Sequence, residues 1–246
     1  MQIENQTHDA DYWARPVSKL TVADVPTDAA TFNVEGRQVV GPLQGFGQMW
    51  QKTYRIRLTD SPAEPAEVIE KWKQNFQEFW PEGANFYAPI TGIAPGEVAV
   101  INVSGPVKTS LSTGVMVIYA DDESFTFMTP EGHIFAGWIT FSAYREEGAS
   151  VVQAQLLIRA NDPLWEIAFR LFASREEDKF WHQTLRNLAA EFGVQGHVQQ
   201  DTSLVDPRLQ WSQAKNVWYN AAIRSALHAP AGLLRRIFGR GMPSSS

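Results

Sequence analysis

Two groups of residues could do chemistry. One is Pro130-Glu131-Gly132-His133, where a carboxylate and an imidazole stand two positions apart and the imidazole could serve as a general base. The same four residues also suit a plain hairpin turn, with Pro and Gly bending the chain and Glu131 in solvent. The other is Ser174, Arg175, Asp178 and His182, spaced so that one helix face would carry all four. Arg175 and Asp178, three apart, can pair there, and Asp178 and His182, four apart, can hydrogen-bond.

Other chemistries find few residues to use. The chain has no cysteine, which removes thiolate catalysis, disulfides and cysteine metal sites together. The five histidines (His8, His133, His182, His197 and His228) are scattered, and no two have the i, i+4 spacing of a helical zinc motif. Neither a metal nor a cofactor is therefore expected. There is no Gly-x-Ser-x-Gly turn for a nucleophile. Gly45-Phe46-Gly47 leads into a strand, unlike a dinucleotide fingerprint, which opens a helix.

Both groups need elements to hold them. Residues 48–59 alternate with period two through Tyr54-Arg55-Ile56-Arg57-Leu58, which predicts a strand whose large residues are Trp50, Tyr54 and Ile56. Residues 65–80 place Ile69, Trp72, Phe76, Phe79 and Trp80 at three- and four-residue steps, predicting an amphipathic helix that Pro81-Glu82-Gly83 ends. Five more strands are predicted at 97–104, 112–120, 124–129, 134–144 and 150–160. Their short separators, such as Asp121-Asp122-Glu123 and Glu146-Glu147-Gly148, imply an antiparallel meander. Trp138 shares a face with Thr140 and Ser142, and Phe125 shares one with Phe127; such rings either line a pocket or fill a core. Asp162-Pro163 is a strong helix start, and the helix can run to Phe192 before Gly193 stops it.

The predicted fold class is thus α+β: a helix-grip, with a curved antiparallel sheet of six to seven strands wrapped around a long C-terminal helix. Any space left between sheet and helix is a pocket. The helix's inner stripe begins with Leu164, Ile167, Ala168 and Leu171 and ends with Trp181, Leu185, Leu188, Ala189 and Phe192. Between them it passes through Ser174, Arg175, Asp178 and His182. Polar groups on an inner face need partners, so they mark the polar end of a pocket. A helix that breaks at Ala173-Ser174 and turns its charge run outward fits the same pattern.

Residues 1–47 read as an extended arm packed on the domain, 48–196 as the helix-grip domain and 197–246 as a basic helical tail. All 27 acidic residues lie at or before Asp206, while six of the 21 basic residues follow it. An acidic body argues against nucleic acid as a partner and leaves the tail as a separate contact element. Past Pro230, Leu233, Leu234, Ile237 and Phe238 group opposite Arg235 and Arg236, a segment able to lie reversibly on an anionic membrane. A docked helix or a frayed end is the alternative. The N-terminus is polar and acidic, unlike a secretory signal, and no apolar run approaches the ~20 residues of a membrane span. A cytoplasmic protein is expected, with peripheral membrane contact open through the tail.

Several stretches look like those of an uncharacterised, mostly bacterial domain. They are Gly45-Phe46-Gly47 with Trp50-Gln51-Lys52-Thr53-Tyr54, Phe79-Trp80-Pro81, Leu111-Ser112-Thr113-Gly114-Val115, Phe127-Met128-Thr129-Pro130-Glu131-Gly132-His133, Arg159 through Asp162-Pro163, and Phe180-Trp181. That domain, like the order strand, helix, meander and long helix, resembles the START-like superfamily of lipid-transfer proteins, pollen-allergen-like proteins and polyketide cyclases. The resemblance implies a pocket between the long helix and the inner sheet face and an apolar ligand within it. It supplies no catalytic residue.

The first functional expectation is therefore binding or carriage of a small apolar or amphipathic molecule, in a pocket lined by Glu131, His133, Trp138, Ser174, Arg175, Asp178 and His182. The second is an enzyme of cyclase, dehydratase or hydrolase type in the same pocket. It requires at least two of Glu131, His133, Asp178 and His182 to converge within hydrogen-bond reach. The third is a membrane-peripheral module working through Leu233, Leu234, Arg235, Arg236, Ile237 and Phe238.

Overall fold

Alternation along each strand decides which residues enter the core. In the computed structural model, which describes residues 10–23, 25–26, 29–104 and 110–228, β2 (Met49–Leu58) turns Tyr54, Ile56 and Leu58 inward, and Lys52 shares their parity. The other strands are β1 (Val39–Val40), β3 (Ala84–Tyr87), β4 (Val98–Ser104), β5 (Ser110–Ala120), β6 (Ser124–Pro130), β7 (Phe135–Glu146), β8 (Ala149–Ala160) and β9 (Gln199–Asp206). They form one open antiparallel sheet in the order β3-β4-β5-β6-β7-β8-β2-β9, with β1 beside the end of β6. The sheet has nine strands, where six to seven are expected from sequence. The additions are β1, β3 and β9. Two are very short, and β9 is an edge strand whose side chains are almost all exposed, so no buried face imposes alternation on it. Residues 199–206 thus belong to the sheet and not to a helical tail.

The inner face is filled by rings. The helix α1 (Pro65–Gln74) buries Val68, Ile69 and Trp72, and a 3₁₀ turn at Phe76–Phe79, where a continuous helix is expected from sequence, carries Phe76 and Phe79 into the same core. Trp72 meets Phe141 at 4.9 Å between ring centroids, and Phe76 meets Phe86 at 4.7 Å, both edge-on.

The long helix begins where the Asp162 carboxylate accepts the backbone N–H groups of Leu164 and Trp165. It has three parts: α2 (Pro163–Ala168), a single π turn (Phe169–Ala173) and α3 (Ser174–Glu191). The backbone stays right-handed helical at both joins, and Gly193, at φ +73°, ends the element. A π turn inserts one extra residue, which rotates everything upstream by about 100° relative to a continuous α-helix. Downstream, Leu185, Leu188 and Ala189 are fully buried against the sheet. Upstream, Glu166 and Phe169 are buried instead, and Leu164, Ile167 and Leu171 face solvent. The inner stripe expected from sequence therefore holds beyond the π turn at Leu185, Leu188 and Ala189 but not at the exposed Arg175, and is one residue out of phase before it.

On the outer face, residues from the first 47 form a second core in which Leu20 and Val34 pack on Val98, Val100 and Met116. The last described residues close over them. A 3₁₀ helix at Trp211–Tyr219 is followed by a helix over 221–228, with a break at Asn220. The buried amide of Asn33 clips three segments together: its Nδ2 reaches Ser112 O at 2.9 Å, Ala221 O at 3.2 Å and Ser225 Oγ at 3.1 Å. Among the described residues no helix is long and apolar enough to cross a membrane. Residues 233–238, the expected membrane contact, lie outside the described residues.

Candidate ligand-binding site

The parity of β2 carries a lysine into the core. Lys52 is 2% exposed, and its ammonium lies under the start of α3. It donates to Ser174 Oγ at 3.0 Å, Glu177 Oε2 at 2.6 Å and Asp178 Oδ1 at 2.8 Å, and stands 5.1 Å from the centre of the Phe169 ring. Two strand positions on, the Tyr54 hydroxyl donates to the same Asp178 oxygen at 2.6 Å. The π turn sets this geometry, because it presents Phe169, Ser174 and Glu177 together to the lysine. π turns of this kind are often found at functional sites.

Burial makes the two carboxylates unlike. Glu177 is enclosed, and desolvation pushes its pKa up to about 7, against the opposing pull of the Lys52 ammonium. Asp178 is only partly covered. Burial acts to raise its pKa too, but the hydrogen bonds from Lys52 and Tyr54 outweigh it and hold the group below its ordinary value. The Tyr54 hydroxyl is raised by burial first, then by the Glu177 charge and by its bond to Asp178, so it remains a donor.

Asp178 opens onto a groove. The sheet curls far enough that its opposite edges, β3–β4 and β9, flank α3, and a space of about 760 Å³ remains beside the helix. Ala84, Val103 and Phe180 give it apolar wall, and Glu82, Glu176, Lys179 and Arg186 stand among them. Asp178, His182 and Gln200 form a polar end. His182 Nε2 lies 3.0 Å from Gln200 Oε1, and its ring stands edge-on to Tyr54 at 5.7 Å. The space is thus the unclosed seam of the grip, beside the helix and not beneath it.

Of the residues expected in a pocket, Asp178 and His182 line this groove, while Ser174 joins Asp178 on the Lys52 ammonium and is not among the groove's walls. Arg175 does neither: it is exposed, and Asp178 pairs with Lys52 in its place. The expected bond between Asp178 and His182 is replaced by Tyr54–Asp178 and His182–Gln200. Glu131 and Trp138 lie on the other side of the sheet, and His133, beside Phe135 at the start of β7, is not among the groove's walls. Trp138 pairs across β7 with Met128 of β6, beneath Gly41 of the arm, because its parity opposes that of Ile139 and Phe141. The His133 Nδ1 accepts the Phe135 backbone N–H at 3.0 Å, and burial of the ring lowers its pKa to about 4. The Glu131 backbone N–H donates to Gln38 O at 2.9 Å.

The turn at 130–133 is instead a dock for the arm and the C-terminal residues. Gly132, at φ +85°, offers its carbonyl to the Ala221 N–H, and a Cβ on it would stand 1.9 Å from Tyr219 O. Gly132→Ala is therefore expected to detach residues 211–228. Limited proteolysis should cut the variant in that stretch at least about tenfold faster than the parent, as local opening costs less; equal rates would show that the dock tolerates a methyl.

Lys52, Tyr54 and Glu177 carry the site but were not among its expected residues. Lys52 was legible from its parity with Tyr54 and Ile56 in an alternating strand. Glu177 lies four positions before Trp181 on the helix face that ends in Leu185 and Leu188. Gln200 had no such signal, since it comes from the polar edge strand. Among the described residues no group of three or more His, Asp or Glu could hold a metal ion.

An antiparallel sheet curled around one long helix is the helix-grip fold expected from the sequence. No protein-family model matches the chain, and no curated protein does. Among solved structures, the chain is similar to the di-domain ARO/CYC StfQ from the steffimycin biosynthetic pathway (TM-score 0.47, 10% identity, over 59% of this chain and 51% of that one). It thus spans about half the length of StfQ. It is also similar to KanY (TM-score 0.45, 14% identity, 60% and 99%) and to major latex-like protein 151 from Panax ginseng (TM-score 0.38, 13% identity, 59% and 99%). Likenesses of this size place no function on the chain.

Proposed function

We propose that the protein binds or carries a small amphipathic molecule in the groove beside α3. One observation carries this reading: an open space with apolar walls at Ala84, Val103 and Phe180 that ends on the polar set Asp178, His182 and Gln200. An apolar body would lie along the seam, and a polar head would exchange hydrogen bonds with the imidazole and the Gln200 amide. Its volume of about 760 Å³ is within the range of small-molecule sites. The catalytic alternative lacks its required geometry. Asp178 and His182 share the groove but hydrogen-bond elsewhere, and neither Glu131 nor His133 lines it.

The test is mass spectrometry of small molecules extracted from protein purified from its native host, for the parent and for Val103→Arg. Val103 is only partly buried, so the arginine charges the apolar wall without entering the core. The parent is expected to yield a bound compound in near-stoichiometric amount, and the variant at least about tenfold less, the equivalent of roughly 1.4 kcal/mol. An empty parent, or equal yields from both proteins, refutes the proposal.

A further inference from the structure

The outward side of the long helix changes character along its length. On α3 it is charged and polar, with Arg175, Glu176, Lys179, Gln183 and Arg186 exposed. On α2 and the π turn it is apolar. Leu164, Ile167, Leu171 and Phe172 are all exposed, Leu171 at 71% and Phe172 at 59%. At about 100° per residue, and somewhat less through the π turn, these four fall on one side of the helix, opposite the buried Glu166 and Phe169. A surface helix ordinarily keeps its polar residues on that side, so an exposed apolar face of this kind marks a contact.

The charges that accompany this face are mostly positive, in a chain whose net charge is −6. Residues 163–175 and 206–228 carry five basic side chains and two carboxylates, Glu166 and Asp206. Neither carboxylate is exposed: Glu166 is buried on Arg170, and Asp206 is held by Arg159 and Arg208. Arg175 is exposed and makes no ion pair with a described residue. The second stretch is fastened to the start of α2, where Asn216 Nδ2 donates to Asn161 O at 3.0 Å and Asn220 Nδ2 donates to Asp162 Oδ2 at 2.8 Å. It exposes Lys215, Trp211 and Trp218. Apolar, basic and indole side chains together suit a surface that lies on anionic lipid. A two-fold contact between copies would instead set a basic face against its own like.

We propose that the outward face of α2 and the π turn is a docking surface for an anionic lipid bilayer. Leu164, Ile167, Leu171 and Phe172 enter the boundary between headgroups and acyl chains, and Arg175 stays among the headgroups. This face is separate from residues 233–238, whose own composition suggests membrane contact, and it does not depend on what the groove beside α3 binds.

Cosedimentation of the full chain with vesicles tests this, comparing equal parts of phosphatidylglycerol and phosphatidylcholine with phosphatidylcholine alone. The parent is expected to bind the anionic vesicles at least about tenfold more tightly, because several basic residues near an anionic surface add their attractions. Phe172→Glu and Arg175→Glu should each weaken that binding at least about tenfold, the first by removing apolar burial and the second by reversing a charge. Both positions are exposed, so the variants are expected to keep the parent melting temperature. No binding by the parent, equal binding to the two compositions, or undiminished binding by Phe172→Glu overturns the proposal, and the last places the contact on residues 233–238. If the parent ignores vesicles but self-associates, and Phe172→Glu abolishes that association, the face belongs to a second copy and the proposal falls.

Discussion

A Lys52→Met protein is expected to be about 3–5 kcal/mol less stable than its parent at pH 8, the usual cost of removing one partner from a buried ion pair. Methionine fills the space of the lysine stem, so the loss reports the charge. Lys52 is 2% exposed and donates to Glu177 Oε2, Ser174 Oγ and Asp178 Oδ1. Without it two adjacent carboxylates face each other under the helix. The deficit should depend on pH. Glu177 titrates near 7 in the parent. By pH 6 its carboxyl is largely protonated in both proteins, and the deficit should be smaller by about 1 kcal/mol, since one pKa unit corresponds to ~1.4 kcal/mol. Urea unfolding at the two pH values measures both numbers. A deficit under about 1 kcal/mol, or one that ignores pH, would mean that the ammonium does not sit between the two acids.

Acid titration gives the second large effect. The pKa of Glu177 rises from 4.5 to about 7 on folding. Between those values the unfolded chain has released its proton and the folded chain has kept it, so stability falls as pH rises, by about 3 kcal/mol across the window. His133 works in the opposite sense. Its pKa drops from 6.5 to about 4 on folding, so between those values the unfolded chain holds the extra proton and stability falls as pH falls, again by about 3 kcal/mol. From 4.5 to 6.5 the two slopes oppose each other and nearly cancel. Glu177→Gln removes one of them. Relative to the parent, the variant is expected to gain about 1–3 kcal/mol between pH 5 and pH 8, because it has no buried carboxylate to ionise. Asp162, Asp178 and Asp206 are also shifted, but they are present in both proteins and largely drop out of the difference. Parallel stability curves for variant and parent would show that Glu177 is not buried as a proton-holding group.

The strong local signals in the sequence are the ones the fold obeys. Alternation in residues 48–59, the strand predicted at 150–160 behind the turn Glu146-Glu147-Gly148, and the Asp162-Pro163 start each mark an element that the structure contains at nearly those bounds. What was not legible came from three physical causes. The π turn shifts the helix phase by one residue, and nothing in Phe169-Arg170-Leu171-Phe172-Ala173 announces it, so Leu164 and Ile167 read as buried when Glu166 and Phe169 are. Strand β9 is polar because it lies on an edge, which hid Gln200 and the far side of the groove. The turn at 130–133 was legible as a turn. Its role as a dock depends on Gln38 and Ala221, 93 and 89 positions away, and no local pattern records that. Lys52 is different in kind. Its parity was visible, but an alternating strand ordinarily places a lysine outside.

The clip at Asn33 has a consequence for how the molecule is made. Its acceptors on Ala221 and Ser225 lie 188 and 192 residues further along the chain. At a synthesis rate of ~5–20 residues per second, about 10–40 s separate the appearance of the amide from that of its last partners. A ribosome therefore releases the arm early and must hold it unfinished while the whole sheet emerges. A chain stopped short of residue 221 can complete its inner core yet leaves the Asn33 amide without those partners, so the outer face itself tells a finished copy from an aborted one.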